Sequence, residues 1–364
     1  MVRDPICHME IDATQTSIQT TYRARVFFFC SAGCKSLFEQ TPAHYAEETF
    51  ILPDETFDMI IIGGGPAGLT AAVYASIQHM HTLLITETVG GQAIESSNIK
   101  NYMGFEFITG NELVDKFRDQ LIQAHFVRHK LGRVEAVHPH HEAYTVQTTD
   151  GRRFQSKTLL IATGMRRRQL HVPGEERLRG RGVGYSVVQE MARFHGLKVA
   201  VIGGGNSALQ TAIEFSQVAQ HVYLIAREEL TGDRDDIQQV HRLTNVTLLT
   251  HAAVQEICGA AQVESLVVQV AGSDKTQDIA VAGVFITIGF TPNASLVASL
   301  VKCNERGEIV IGPDCSTSAP GVFAAGDVTN AYGKRVIVAT GEGAKAALAA
   351  YHYLLHQQAA HSVG

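Results

Sequence analysis

From Asp58 onward the chain alternates apolar runs of strand length, glycine turns and helical runs of small residues. Residues 59–62 are continuously apolar, the pattern of a strand buried on both faces. They enter a glycine turn, and "PAGLTAAVYAS" follows with the residues of a good helix. The same order recurs at 199–202, where "VAVI" meets glycines and then "NSALQTAIEFS". The first glycines of the two turns, Gly63 and Gly203, are 140 residues apart. A third signal is "GVFAAGDVTN" at 321–330, a short apolar strand closed by Gly326 and Asp327, with the glycine-rich helix start "VATGEGAKAALAA" soon after it. Residues 1–50 break this rhythm. They carry the aromatic and cysteine cluster "VFFFCSAGC", and the polar stretch "EETFILPDET" joins them to the rest.

The glycine turns point to a ligand. Gly63, Gly65 and Gly68 fit G-x-G-x-x-G. The first position makes a tight turn, the second lets the backbone approach a pyrophosphate, and the third packs helix close on strand. The helix N-terminus then presents free N–H groups to the phosphates. A tight turn without a ligand is the alternative, and the strand–turn–helix context argues against it. Glu87 closes the next apolar run, "HTLLITE", and is a candidate for a ribose hydroxyl or an ordinary loop acid. The second turn keeps Gly203 and Gly205 and has Ala208 in the third place. Its next strand ends in Arg227, which can hold a 2′-phosphate, beside Glu228 and Glu229, which oppose one. Two such units predict two nucleotide-binding domains on parallel sheets, and Arg227 tips the second toward NADPH over NADH.

Composition narrows the class. The chain has 364 residues, 45% hydrophobic, with a net charge of −6 and both signs mixed along it. That is enough for two or three domains with large cores. No basic patch suggests nucleic acid. No run of eighteen apolar residues suggests a membrane span, and the N-terminus lacks an apolar signal core. The cysteines, at 7, 30, 34, 258, 303 and 315, do not form a secreted disulfide framework, so a cytoplasmic setting is expected.

The segments "GGGPAGLTAAVYA" (63–75), "GGQ" (90–92), "NYMGF" (101–105), "IATG" (161–164), "GRGV" (180–183), "VIGGGNSA" (201–208) and "GVFAAGD" (321–327) resemble, in order, the low-molecular-weight thioredoxin reductase family. The resemblance runs from residue 58 to about 355. It implies an α/β fold of two Rossmann-like three-layer domains. The FAD domain would be in two segments, 55–165 and 283–364, around an NAD(P)H domain at 166–282. It further implies that Gly63, Gly65, Pro66, Ala67, Gly68, Glu87, Gly91, Gln92 and Asn101 line FAD, with Ala162, Thr163 and Gly164. Gly326 and Asp327 would hold the ribitol chain, and Arg335, Val336 and Ile337 would lie near the pyrimidine end of the flavin. Gly203, Gly205, Asn206, Ser207, Ala208 and Arg227 would face NAD(P)H. A homodimer is the family's usual assembly.

One departure matters most. After "GV" the family carries Cys-x-x-Cys-Asp. This chain has "GVGYSVVQE", with Ser186 and Gln189 at the cysteine positions and Glu190 after them. Neither serine nor glutamine can carry disulfide exchange. Hydride transfer from nicotinamide to flavin is what remains. Cys258, Cys303 and Cys315 are isolated in apolar or loop contexts and read as inert.

The N-terminal section resembles a YHS domain, through "DPICHMEI" (4–11), "FFFCSAGCKSLF" (27–38) and "TPAHY" (41–45), with His8 in place of the usual glycine. The resemblance implies a small α+β metal-binding module at 1–50. Cys7, Cys30 and Cys34 are the candidate ligands for a soft ion such as copper or zinc, with His8 or His44 as a further donor. Cys30 and Cys34 would share one face of a helix begun at Ser31, and are also a candidate redox pair. The alternative is a thiol cluster packed among Phe27, Phe28 and Phe29. The expected function is an FAD-dependent NAD(P)H oxidoreductase that passes electrons to this module, as a cysteine pair or a bound metal. Delivery to an external acceptor such as ferredoxin or flavodoxin, or a non-enzymatic redox or metal sensor, are the competing readings.

Overall fold

The computed structural model describes residues 2–6, 10–11, 13, 16–22, 25–40, 42–45, 55–96, 99–122, 124, 126–185, 191–272 and 275–363. The chain divides into two compact units, one of Met1–Met165 with Pro292–Gly364 and one of Arg166–Thr291.

The first unit is organised by a seven-stranded sheet. Its order is Val127–Leu131, Thr82–Thr86, Thr56–Ile62, Arg153–Ile161, Ala143–Thr148 and Val134–His140, with Val322–Ala324 also paired to Arg153–Ile161. Thr56–Ile62 pairs in parallel with Thr82–Thr86 and with Arg153–Ile161. Successive side chains of a strand face opposite sides, so a continuously apolar strand needs cover on both. Met59, Ile61 and Leu160 face the alanine-rich helices Pro66–Ile77 and Val336–Val363. Phe57, Ile60, Ile62 and Leu159 pack on the other side with Val297, Val301 and Ile309. The strand begins at Thr56, earlier than the apolar run alone suggests, because Thr56 and Phe57 extend the pairing to Gln155 and Ser156. The two helices approach almost backbone to backbone: a Cβ added to Gly343 would stand 2.1 Å from the Ala67 carbonyl oxygen.

The second unit has a five-stranded parallel sheet, ordered Val183–Gly184, Gly283–Ile286, Lys198–Ile202, His221–Ile225 and Val246–Leu249. A three-stranded antiparallel sheet of Ala252–Cys258, Ser265–Val270 and Thr276–Ala280 accompanies it. Phe194, Phe215 and Phe285 pack ring against ring beneath the parallel sheet, with centroids 4.3 to 6.3 Å apart. The sequence reading starts the return segment at residue 283, within a strand of this sheet. Gly283–Ile286 pairs with Lys198–Ile202 inside the second unit, which therefore runs to Thr291.

The described part of the N-terminal section holds a hairpin, Gln19–Tyr22 with Arg25–Phe28, then the helices Ala32–Gln40 and Pro42–Tyr45. Its buried core is Ile6, Phe29 and Phe38. No described helix is long and apolar enough to cross a membrane.

Candidate nucleotide and thiol sites

At the end of Thr56–Ile62 the chain enters Gly63 with φ of 115°, where a side chain would be strained. There is no room for one either, since a Cβ would lie 2.3 Å from the Ala162 carbonyl oxygen. Gly68, in the first turns of the helix, sits so close to the turn that its Cβ would be 1.9 Å from the Gly63 oxygen. Gly65 is different: a Cβ there would meet nothing within 4 Å. Two glycines are thus required by packing, while the middle one leaves open space at the helix N-terminus. Pro66 occupies the first helical positions, where its missing N–H costs nothing. The strap at Gly90 and Gly91 crosses the turn. The Gly90 N–H donates to the Gly64 oxygen at 2.7 Å, and a Cβ on Gly91 would be 3.0 Å from Gly65 Cα. Next to it the Gln92 amide donates to the Met165 carbonyl.

The other end of the unit reaches the same place. Ala162 donates its N–H to the Ile62 oxygen at 2.8 Å. Thr163 Oγ1 donates to the Asn293 oxygen at 2.8 Å, and Asn293 Nδ2 returns a bond to the Thr163 oxygen at 2.9 Å. Asn293 N–H also donates to the Gly164 oxygen, at 2.9 Å. Gly326, with φ of 79°, lies against Ala67, and a Cβ on it would be 3.0 Å from that of Ala67. Its N–H donates to Glu342 Oε2 at 2.7 Å. Asp327 is partly buried, and burial pushes its carboxyl up against the opposing pull of Lys334 and Arg335. Lys334 Nζ donates to the Asp327 oxygen at 3.2 Å and to the Thr329 oxygen, and lies 3.3 Å from Glu308 Oε1. Arg335 is exposed, and Val336 and Ile337 open the last helix.

Two more of the expected residues lie in exposed loops. Glu87 is exposed one residue past its strand, 3.5 Å from Arg133. Asn101 is exposed in the loop after Ile99. The sequence reading also misses Glu342 and Lys334, which fix the loop around Asp327. Lys334 has no distinguishing local signal. A lone acid in a helix start made of small residues, "ATGEGAKAA", is the signal that could have found Glu342. Burial raises its carboxyl, while the Gly326 N–H pulls the other way.

The second turn repeats the first in the other unit. Gly203 has φ of 143°, and its Cβ would lie 2.5 Å from the Thr287 oxygen. A Cβ on Gly205 would meet only Thr231 Oγ1, at 4.0 Å. Asn206, Ser207 and the buried Ala208 begin the helix Asn206–Ser216. Thr231 N–H donates to the Gly204 oxygen at 2.8 Å, the counterpart of the Gly90 strap. Asn206 clasps Asp233, with its Oδ1 accepting the Asp233 N–H at 2.6 Å and its Nδ2 donating to Asp233 Oδ2 at 3.1 Å. Arg227 and Glu228 are exposed, and Glu229 turns to His251 at 2.9 Å. In both turns an open glycine precedes a helix N-terminus, which fits a dinucleotide pyrophosphate.

Ser186, Gln189 and Glu190 lie outside the described residues, as do Cys7 and His8. The remaining core cysteines are not paired among the described residues. Cys315 is buried, its thiol donating to the Glu342 oxygen at 3.6 Å, and burial pushes it up to about 11. Cys303 is half-buried and raised by burial, and Cys258 ends a strand.

In the N-terminal module the helix Ala32–Gln40 is capped by Ser31, whose Oγ accepts the Cys34 N–H at 3.2 Å. This turn brings Cys30 Sγ and Cys34 Sγ to 3.7 Å, with neither sulfur in a disulfide. Asp4, fully buried, accepts the Ile6 N–H at 2.8 Å and the Cys30 N–H at 2.7 Å. Burial pushes the Cys34 thiol up to about 11, and the nearby Asp4 and Cys30 add to the rise against the Ser31 hydrogen bond. The sequence reading names the thiols here and misses Asp4, whose only local signal is its place before Pro5.

Comparison with known proteins agrees with this geometry. The pyridine nucleotide-disulphide oxidoreductase family matches residues 57–343, and the YHS domain matches residues 2–49. The F component of alkyl hydroperoxide reductase from Pseudomonas putida is 37% identical over 309 residues, 84% of this chain and 59% of that protein. A protein named NADH dehydrogenase from Ferdinandcohnia aciditolerans is 33% identical over 302 residues, 83% of this chain and 58% of its own length. The chain thus spans under two thirds of the curated relatives it matches. Among solved structures, Lactococcus lactis thioredoxin reductase superposes with a TM-score of 0.71 at 33% identity, covering 82% of this chain and 99% of that one. T. acidophilum thioredoxin reductase gives a TM-score of 0.68 at 31% identity, covering 83% and 100%. The chain belongs to the pyridine nucleotide-disulphide oxidoreductases and is an FAD-dependent NAD(P)H oxidoreductase. Within that family it is of the thioredoxin reductase-like kind, and it carries a YHS domain at its N-terminus.

Proposed function

We propose that this enzyme passes an electron pair from NAD(P)H, through flavin, to the cysteine pair Cys30 and Cys34 of its own YHS module. The carrying observation is a displacement of thiols. The core has Ser186 and Gln189 where the resembled family has cysteines, while the appended module holds two thiols 3.7 Å apart. The net step is NAD(P)H plus a proton plus the Cys30/Cys34 disulfide giving NAD(P)+ and two thiols. Bound FAD supplies the two-electron relay between nicotinamide and sulfur.

The chain's own residues do the rest. Gly63, Gly65 and Gly68 shape the phosphate turn, and Gly91 and Gln92 strap it. Ala162, Thr163, Gly164, Gly326 and Asp327 complete the FAD side, with Glu342 and Lys334 holding the last two in place. Gly203, Gly205, Asn206, Ser207 and Ala208 receive the pyridine nucleotide. Arg227 favours NADPH, helped by the engagement of Glu229 with His251. The domains read as a YHS module at 1–50, an FAD domain at 55–165 with 292–364, and an NAD(P)H domain at 166–291, in a cytoplasmic homodimer. A soft ion held by the module thiols, in place of the disulfide, is the other form this acceptor takes in the same reading.

Replacing Cys30 and Cys34 together by Ser tests the route. Reduction of a small aromatic disulfide should fall by about 100-fold or more, while bleaching of the flavin by NADPH continues at its former rate. Unchanged disulfide turnover refutes the route. A second reading, delivery to an external protein acceptor, draws on the likeness to the alkyl hydroperoxide reductase component. In that case the double variant keeps its turnover with the acceptor.

A further inference from the structure

Asp4 has no exposed surface, and it sits beside two thiols. A buried carboxylate is costly unless partners compensate it. Its oxygens accept the backbone N–H groups of Ile6 and Cys30. One donor atom from each of Asp4, Cys30 and Cys34 lies within 4.8 Å of the other two.

The spacing of the sulfurs bears on the geometry of a bound ion. Two thiolates on a tetrahedral ion with metal–sulfur bonds of about 2.3 Å stand about 3.8 Å apart. Held in line across an ion at that bond length, they would stand about 4.6 Å apart. The observed separation is 3.7 Å. A carboxylate oxygen beside two thiolates fits zinc, which takes sulfur and oxygen donors together.

We propose that Asp4, Cys30 and Cys34 form a tetrahedral site for one divalent ion of the zinc class, with Asp4 as its oxygen donor. Binding releases the two thiol protons and leaves one of the four positions to a further ligand. This rests on the module reading above and sharpens it in two ways. It adds a donor that is not a cysteine, and it makes ion and disulfide mutually exclusive, since the same two sulfurs cannot serve both.

The test is a pair of anaerobic titrations of the full-length, metal-free, chemically reduced protein, one with Zn(II) and one with Cu(I). Wild type is compared with Asp4→Asn, which keeps one amide oxygen for a backbone N–H. The expected result is one zinc ion per chain in wild type, weakened at least about tenfold in Asp4→Asn, with Cu(I) affinity changed by less than about threefold. No zinc binding in wild type overturns the proposal. So does an Asp4→Asn variant that binds zinc as tightly as wild type. Equal losses of both ions would make Asp4 a structural clamp only, and also overturn it. Because the protein is reduced chemically, failure of the flavin-to-module route leaves these titrations unaffected.

Discussion

The sheet of the first unit is covered on both faces by apolar side chains, whereas the described part of the N-terminal module closes around Ile6, Phe29 and Phe38. The two regions solve the placing of chemical groups differently. The large core can force backbone onto backbone, as at Gly68 and Gly343, because so much packing holds the strand and helices in register. The described core of the module, three buried side chains with six partly buried ones against them, lacks that authority. The module uses a buried carboxylate instead, which ties residues 4–6 to Cys30 and so fixes the thiols. The nucleotide turns therefore depend on absent side chains, and the thiol site depends on a present one, the Asp4 carboxyl group.

That contrast breaks most readily at the first glycine turn. Gly68→Ala puts a methyl 1.9 Å from the Gly63 oxygen, so the first unit should lose several degrees of melting temperature and its FAD. Gly65→Ala meets nothing within 4 Å, so the fold should stay while FAD affinity falls at least about tenfold. Thermal melts beside flavin content check both. Equal behaviour of the two variants would mean that the open glycine does not face the cofactor.

In the module, Phe38→Ala removes a fully buried ring packed on Phe27 and Phe29, with centroids 4.7 and 5.2 Å away. The loss should be about 3–5 kcal/mol, more than so small a core can absorb. Limited proteolysis should then cut within residues 1–50 while the remainder keeps its yellow flavin. Retention of an intact module would show that Asp4 and the hairpin suffice.

The smallest expected effect is one of pH. The Cys34 thiol is held up to about 11, mainly by burial. The folded module favours the protonated thiol, so the stability linked to it is present at neutral pH and fades as pH rises toward about 11. In a Cys30→Ser variant the alkylation rate at Cys34 should still be climbing above pH 9. A plateau below pH 9 would contradict the placement of that sulfur.

The parallel strands and their glycine turns are legible in the sequence because burial on both faces leaves an uninterrupted apolar run before the turn. The end of the second unit is not. Gly283–Ile286 is as apolar as any strand of the first sheet, and only its pairing with Lys198–Ile202 assigns it. Asp4 and Glu342 escape for a different reason. An acid in a sequence reads as solvated, and only the tertiary structure places Asp4 beside thiols and Glu342 under the Gly326 N–H. Cys30 and Cys34 are legible as a pair from their close spacing, although Cys30 lies before the helix Ala32–Gln40 and meets Cys34 across its capping turn.

The central claim is that electrons reach a thiol pair outside the core. The direct measurement is an anaerobic NADPH titration of metal-free protein, with Cys30 and Cys34 first oxidised to the disulfide, counting electrons taken up per FAD. The account predicts about four, two for flavin and two for the module disulfide. About two per FAD, with Cys30 and Cys34 still blocked to alkylation afterwards, would contradict it.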